Sequence, residues 1–136
     1  MEPSLEPIGV VRSPLRHRKN APRSARDGAP AAVLELDDRY AAALEGVQAG
    51  MDLVLVTWLH EGLRDVLQVR PGGDRTRPLT GVFATRSPDR PNPIGLHRVT
   101  VTALEPPARL HVAALEAIDG TPILDLKVVM KEAPDA

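Results

Sequence analysis

A nineteen-residue stretch of the chain concentrates side chains that could bind a charged ligand. The segment GVFATRSPDRPNPIGLHRV, residues 81–99, contains three prolines and three arginines between apolar runs. Each proline fixes its own φ and restricts the preceding residue, so the segment has little conformational freedom to lose on binding. Arg86 and Arg90 carry planar, permanently charged guanidinium groups suited to a carboxylate or a phosphate. The composition predicts a stiff wall of a small-molecule pocket, with a purely structural loop as the alternative.

The four histidines and the lack of cysteine restrict the other kinds of chemistry. No two histidines have a metal-ligand spacing such as H-x-x-x-H, so we expect no metal site. Without cysteine the chain has no thiolate nucleophile and no disulfide, and Ser87 lacks the G-x-S-x-G surroundings of a hydrolase serine. His60 ends the most apolar run, where strands give way to loops and binding residues collect. It is either a functional residue or a satisfied structural one.

A second segment, IDGTPILDLK at residues 118–127, combines a sharp turn with charged side chains. Asp119-Gly120 is a strong turn signal, and Thr121-Pro122 stiffens the exit from the turn. As a hairpin turn the segment needs no further function. As a rim beside residues 81–99 it would present Asp119 and backbone amides to a ligand.

Basic residues cluster in two stretches of a chain whose formal net charge is −1. Residues 12–26 contain six basic side chains and no acid, and residues 70–98 contain six arginines against two aspartates. If the two stretches meet in space, they form a surface suited to phosphate groups. Otherwise they are two solvated loops.

The elements that must position these residues are short strands. Branched apolar runs separated by proline and glycine predict seven or eight strands, and Asp37 or Asp38 begins one short helix that ends near Gly46. This spacing favours a mainly β fold, a small closed or nearly closed β-barrel, and no G-x-G-x-x-G motif supports a doubly wound nucleotide-binding fold. The predicted strands are 8–13, 31–36, 51–60, 62–70, 79–85, 96–105, 109–118 and 123–130.

Length and composition are those of a globular protein. The 136 residues, 43% hydrophobic and 26% charged, predict a single domain spanning residues 1–136 without a C-terminal extension. The N-terminal MEPSLEPIGVVRSP lacks the basic and apolar regions of a secretion signal, and no apolar run is long enough to cross a membrane. We therefore expect a soluble cytoplasmic protein with no membrane partner.

Three strings together resemble the TsaA-like β-barrel family, also called the TrmO family. They are IGVVRSP, GVFATRSPDRPNPIGL and DGTPILDLK, which occur in this order within about residues 8–127. The resemblance implies a small β-barrel that forms a homodimer. It also implies S-adenosyl-L-methionine as cofactor and tRNA as partner, with methylation at N6 of threonylcarbamoyladenosine in the anticodon loop.

The resemblance further implies roles for individual residues. Methylation of an acylated nitrogen requires a base, for which His60 and Asp119 are the candidates and His97 is a third. The residues expected to bind RNA phosphates and the threonyl carboxylate are Arg16, Arg18, Lys19, Arg26 and Arg90. The positions that match the family's cofactor contacts are Pro22, Arg23, Ser24, His60, Glu61, Arg86, Leu96, Asp119, Gly120, Thr121 and Pro122.

Four places in the chain depart from the family pattern. Ser24 replaces a glutamine and Asp89 replaces an aromatic residue. His97 replaces a serine, and Val128-Val129 replaces a proline–tyrosine pair. With one Trp, one Tyr and one Phe, the chain has few aromatic rings to stack on bases. Two alternatives therefore stay open: a methyltransferase of this fold acting on a small metabolite or another RNA, and a non-catalytic barrel that binds an adenosyl ligand or RNA.

Overall fold

Six of eight strands close into a barrel in the computed structural model, which describes residues 2–131. The strands are β1 Gly9–Arg12, β2 Ala32–Leu36, β3 Asp52–Trp58, β4 Gln68–Val69, β5 Thr80–Gly81, β6 Ile94–Glu105, β7 Arg109–Val112 and β8 Pro122–Val128. Their order around the ring is β1-β2-β7-β6-β3-β8, with β8 pairing with β1 to complete it. Strands β4 and β5 form a separate two-stranded sheet. The predicted β-barrel is confirmed, with six strands in the ring.

Alternating apolar residues on each strand fill the inside of the barrel. In β3, Leu53, Leu55 and Thr57 are buried while their neighbours are half-buried, and in β6 Val99 and Val101 are buried in the same alternating pattern. A strand repeats every two residues, so one face of each strand lies inside. The side chains that are completely shielded from solvent include Val11, Leu34, Leu55, Leu110, Leu115 and Ile123.

The one predicted helix is present and adopts 3₁₀ geometry over Asp38–Leu44. Asp37 is its N-cap, and its side chain accepts a hydrogen bond of 3.0 Å from the backbone N–H of Arg39. None of the helical segments within residues 2–131 has the length and hydrophobicity that a bilayer crossing requires. The shorter 3₁₀ segments, which the sequence did not predict, are Arg18–Asn20, Ala25–Asp27, Pro71–Gly73 and Val82–Ala84.

Three of the predicted strands are shorter in the structure than the sequence suggested. Only β4 forms within residues 62–70, and only β5 within residues 79–85, because these two short strands pair with each other rather than with the ring. The predicted strand 109–118 ends at Val112. Beyond it the chain crosses the barrel end, where the backbone N–H of Leu115 donates to Pro30 and the Leu115 side chain closes the core.

The connections that carry the candidate functional residues leave the barrel at one end. All neighbouring strands in the ring are antiparallel, so β1, β3 and β7 end where β2, β6 and β8 begin. Residues 13–31, 59–93 and 113–121 therefore meet at the same end, although they are far apart in sequence. The β4–β5 sheet lies within the second of these connections.

Substitution of Gly9 tests how closely β1 and β2 pack against each other. A Cβ at this position would lie 2.3 Å from the backbone oxygen of Glu35 and 2.7 Å from the Cα of Leu36. These backbone atoms belong to the β1–β2 pairing and cannot move independently. We expect Gly9→Ala to lower the free energy of unfolding by about 1–3 kcal/mol, as overpacking does. Urea denaturation followed by circular dichroism measures the change.

Gly81→Ala is the matched control for this substitution. No atom lies within 4 Å of the position that its Cβ would take, and its φ of −60° suits any residue. We expect its stability to match that of the unmodified chain within about 0.5 kcal/mol. Equal losses in the two variants would contradict the steric explanation.

Candidate functional site

The three connections at this end of the barrel enclose a cleft of about 1580 Å³. One wall is the proline loop, which we define as residues 85–93, and the facing wall is the arm, residues 68–81, which contains β4 and β5. The basic loop, residues 13–31, contributes part of the rim. The start of β6 and residues 116–118 line the floor. A ligand in this cleft would contact all three connections at once.

Hydrogen bonds within the proline loop add to the stiffness of its prolines. Nη1 of Arg90 donates to the carbonyl oxygens of Thr85 and Ser87 at 3.0 and 3.1 Å. The hydroxyl of Ser87 accepts from the backbone N–H of Asp89 at 3.1 Å. Arg90 therefore braces the loop from within, and its guanidinium is partly occupied before any ligand binds.

Arg64 fastens the proline loop to the end of β3. Its Nε donates to the carbonyl oxygen of Pro91 at 2.7 Å, and its Nη2 donates to Oδ1 of Asn92 at 2.9 Å. The guanidinium also lies over the Trp58 ring, 5.1 Å from the ring centroid, in a cation–π contact. The loop is thus held from outside as well as from within.

An ion pair between Arg18 and Asp89 joins the basic loop to the proline loop. Nη1 and Nη2 of Arg18 donate to the two carboxylate oxygens at 2.7 and 2.6 Å, and Asp89 also accepts from the backbone N–H of Leu63 at 2.9 Å. The hydrogen bond from Arg18 holds the pKa of Asp89 below its ordinary value. Burial acts to raise this pKa, and the backbone hydrogen bond from Leu63 acts to lower it.

The arm is tied to the basic loop through Arg23. Nη2 of Arg23 donates to the carbonyl oxygen of Gly72 at 2.6 Å. Gly72 has a φ of +66°, and a Cβ there would lie 2.5 Å from Nη1 of Arg23. Glycine is therefore favoured here by its backbone conformation, and a Cβ would also have to displace the flexible end of Arg23.

The floor of the cleft contains a hydrogen-bonded chain of three polar side chains. His97 is on β6 with 5% of its side chain exposed, and its Nδ1–H donates to Oε1 of Glu116. On the other side of the ring, Nε2 lies 2.7 Å from Oγ1 of the buried Thr57. Burial acts to raise the pKa of Glu116, but the hydrogen bond and charge of His97 outweigh it and hold that pKa below its ordinary value.

The Asp119-Gly120 turn lies between two residues of the cleft lining, Ile118 and Thr121, but is not itself part of the lining. Oδ1 of Asp119 accepts from the backbone N–H of Ser13 at 3.0 Å, and Oδ2 lies 4.0 Å from Arg16. Gly120 has a φ of +82°, and its N–H donates to Val11. The turn thus fastens the start of the basic loop to the barrel. The carboxylate of Asp119 is engaged there, so its role as a base stays a prediction.

The structure brings most of the predicted site residues together at the cleft. The predicted cofactor contacts that line it are Pro22, Arg23, Ser24, His60, Glu61, Arg86, Leu96 and Thr121, and the predicted RNA contacts that do so are Arg18 and Arg90. The residues outside the lining are Asp119, Gly120 and Pro122 among the cofactor contacts, and Arg16, Lys19 and Arg26 among the RNA contacts. Within residues 2–131, no three His, Asp or Glu side chains are placed to hold a metal ion.

The sequence analysis predicts Leu96 and His97 of the floor but not Glu116, and it names no site residue within the arm. Glu116 falls within the predicted strand 109–118, and its contact with His97 follows only from the barrel register. Phe83 lines the cleft with 83% of the residue exposed, so one aromatic ring is available for stacking. The lining contains six arginines and three acids, which leaves the cleft positively charged. Its arginines are Arg18, Arg23, Arg70, Arg75, Arg86 and Arg90.

Comparisons with known proteins agree on one family. Residues 10–135 match the family model described as the tRNA-methyltransferase O N-terminal domain. An S-adenosyl-L-methionine-binding protein of Archaeoglobus fulgidus is 40% identical over 123 residues, covering 90% of this chain and 86% of that protein. A solved structure of TrmO from Pseudomonas aeruginosa is 33% identical with a TM-score of 0.76, covering 100% of this chain. Another TrmO structure, also 33% identical, has a TM-score of 0.78. The chain spans 58% and 61% of these two TrmO chains.

Substitution of Asp89 tests how much its ion pair with Arg18 stabilises the contact between the basic loop and the proline loop. Asp89→Asn keeps the shape of the side chain but removes the charge that binds Arg18. We expect the free energy of unfolding to fall by about 1–2 kcal/mol, below the full value of a charge-assisted bond because Arg18 is 40% exposed. Urea denaturation at pH 7 measures the loss. The exposed Asp65→Asn is the matched control, for which we expect no change.

The same pair predicts a pH dependence. The pKa of Asp89 is lower in the folded protein than in the unfolded chain. Its stabilisation is therefore complete above the ordinary aspartate pKa of about 3.9 and is lost as the pH falls through the lowered value. We expect the stability difference between the unmodified chain and Asp89→Asn to stay constant from pH 7 to about pH 4 and to shrink as the pH falls further to about pH 3. A difference that stays constant over the lower part of this range as well would show that the charge of Asp89 is not what stabilises the loops.

Proposed function

We propose a function for this chain on the premise that it belongs to the tRNA-methyltransferase O N-terminal domain family. The chain binds S-adenosyl-L-methionine in the cleft at the barrel end and transfers its methyl group to an acceptor. The family description names tRNA. We propose, from the resemblance of the sequence, that the methylated atom is N6 of threonylcarbamoyladenosine in the anticodon loop. Support comes from the family match and from the name of the Archaeoglobus relative.

The observation that carries this proposal is a free arginine in a rigid, partly apolar cleft. Arg86 is exposed and lines the cleft, and its guanidinium forms no hydrogen bond or ion pair with any residue between 2 and 131. The methionine part of the cofactor ends in a carboxylate, which a guanidinium fork binds through two parallel hydrogen bonds. Ile94 and Leu96 expose apolar surface in the same cleft for the adenine ring. The donor set therefore fits the cofactor.

The residues around the cleft have separate tasks in methyl transfer. When bound, S-adenosyl-L-methionine supplies an electrophilic methyl group. Because the reaction is an in-line displacement, holding the acceptor in line provides much of the acceleration, and the braced proline loop supplies a fixed wall for this. The acceptor nitrogen must lose a proton, and His60, which is exposed in the lining, is the residue that takes it.

Exposed basic residues outside the ion pairs are the ones that would bind RNA. Arg18 is paired with Asp89 and Arg90 braces its own loop, so neither guanidinium is fully available. Lys19 and Arg26 are exposed on the basic loop next to the cleft and would contact phosphates. Phe83 offers a ring on which a base can stack. Leu67, next to the arm, and Leu79, within it, are exposed. We propose that the second copy in the expected homodimer covers them.

A different acceptor is the second candidate. Asp89 occupies the place of a family aromatic residue, and its ion pair with Arg18 leaves no ring at that point of the rim. This favours an acceptor recognised by charge rather than by stacking, such as a small metabolite or another RNA. A barrel that binds an adenosyl ligand without catalysis is the outcome if cofactor binds and no acceptor is methylated.

Arg86 provides the first test of the proposal. We expect isothermal titration calorimetry to show micromolar binding of S-adenosyl-L-methionine, and Arg86→Ala to weaken it by about 1.5–3 kcal/mol because a charge-assisted bond is lost. Arg26→Ala removes an equally exposed arginine outside the lining, so we expect it to leave cofactor binding unchanged. Flat titrations of the unmodified chain would overturn the cofactor assignment.

The acceptor is tested by mass spectrometry of tRNA nucleosides from a strain that lacks the gene. We expect the N6-methylated threonylcarbamoyl nucleoside to disappear and to return when the unmodified gene is restored. The gene carrying Arg86→Ala should restore the nucleoside poorly. Immunoblotting shows whether the variant protein is present at the same level as the unmodified one. An unchanged nucleoside level would rule out this acceptor and leave the second candidate.

A further inference from the structure

Glu116 is a carboxylate of the cleft floor that none of the steps above uses. Its side chain is 18% exposed and lines the cleft, while His97 behind it is 5% exposed. Oε1 is bonded to His97, and Oε2 forms no hydrogen bond with another residue between 2 and 131. One carboxylate oxygen is thus fixed and the other is free to accept a hydrogen bond from a ligand.

The barrel is built so that this carboxylate stays ionised and oriented. His97 is bonded on its second nitrogen to Thr57, at the point where β3 pairs with β6. Thr57 is directly opposite Gly95, where a Cβ would lie 2.6 Å from Oγ1 of Thr57 and 2.8 Å from Nε2 of His97. Any larger residue than glycine would push the pair apart. The chain from Thr57 to Glu116 is therefore a built feature of the floor.

The other two acids of the lining differ from Glu116. Asp89 is neutralised by both guanidinium nitrogens of Arg18. Glu61 is exposed at the rim, where water screens its charge. Glu116 is partly buried, and its partner within the described chain is His97 at Oε1 rather than an arginine. Its second oxygen is left to attract an opposite charge, which a partly buried carboxylate does more strongly than an exposed one. In a cleft lined with arginines, it marks the place for a cationic group.

We infer that Glu116, positioned by His97, recognises a positively charged group of the cofactor. The inference rests on the proposed function, which makes S-adenosyl-L-methionine the ligand. That ligand carries two cationic centres, the sulfonium and the ammonium of its methionine part, together with one carboxylate. Arg86 binds the carboxylate, and Glu116 binds one of the cationic centres. The two residues thereby give the ligand a fixed orientation in the cleft.

Glu116→Gln tests the inference with three ligands measured by calorimetry on the full chain. It keeps the size of the side chain and removes the charge. We expect it to weaken S-adenosyl-L-methionine about tenfold, or about 1.4 kcal/mol. Binding of 5′-methylthioadenosine, which lacks both cationic centres, should change by less than twofold. The ratio of the two affinities does not depend on the fraction of folded protein, so partial misfolding cannot imitate the result.

S-adenosylhomocysteine identifies which centre is bound, because it keeps the ammonium but has a neutral sulfur. A tenfold loss for this ligand assigns Glu116 to the ammonium, and an unchanged affinity assigns it to the sulfonium. Equal affinity of Glu116→Gln and the unmodified chain for S-adenosyl-L-methionine would overturn the inference, as would equal losses for all three ligands. If the unmodified chain binds none of them, the proposed function fails instead.

A matched control comes from a second histidine–glutamate pair outside the cleft. Nε2 of His111 lies 3.3 Å from Oε1 of Glu105, and both side chains are exposed. Glu105→Gln should leave all three affinities unchanged.

Two substitutions of His97 test its positioning role. His97→Ala should lower the ratio of the affinity for S-adenosyl-L-methionine to that for 5′-methylthioadenosine. His97→Asn should preserve this ratio, because its amide can still donate to Glu116. An unchanged ratio in His97→Ala would remove His97 from the inference.

Discussion

The barrel closes because β8 pairs with β1 on one side and with β3 on the other, and every feature of the cleft follows from that closure. In an antiparallel ring the connections must alternate between the two ends. Three connections share the end where β3 and β7 finish, and one of them is long enough to carry a small sheet of its own. The cleft is the space between these connections, so its walls are fixed to a ring that has no free edge.

The arginines of this end have two different kinds of role. Three of them fix the loops by donating hydrogen bonds to carbonyl and carboxylate oxygens of the protein, namely Arg18, Arg64 and Arg90. Arg86 lines the cleft and pairs with no residue of the described range 2–131. A planar guanidinium can join several backbone segments at once, which explains how loops with so little regular structure form defined walls. The positive charge counted in the sequence is therefore only partly available to a ligand.

The cleft carries a carboxylate on its floor and a guanidinium on its wall. This arrangement favours ligands with both signs of charge, which the net charge of the cleft alone would not do. A floor carboxylate held by His97 and a wall guanidinium left free by its neighbours suit a ligand that carries both signs of charge. The exposed ring of Phe83 and the apolar faces of Ile94 and Leu96 suit a flat base. The proposed function assigns cofactor binding and acceptor binding to different parts of one cleft, which is what a group-transfer site requires.

The strands, the capped helix and the stiff proline loop were predictable because each depends on residues next to one another in the chain. Alternation in β3 and β6 repeats every two residues, the Asp37 cap acts over two residues, and proline restricts only itself and its neighbour. The predicted strands over 62–70 and 109–118 are longer than the observed ones, because a strand persists only where a neighbouring strand pairs with it.

The contacts that define the cleft could not be read from local pattern. Arg18 meets Asp89 across 71 positions of sequence, and His97 meets Glu116 only because β6 and the segment after β7 converge at one end of the ring. Asp119 accepts a hydrogen bond from the backbone N–H of Ser13, which lies 106 positions away in the sequence. Which side chains meet depends on strand order and register, and these are set by the packing of the whole barrel.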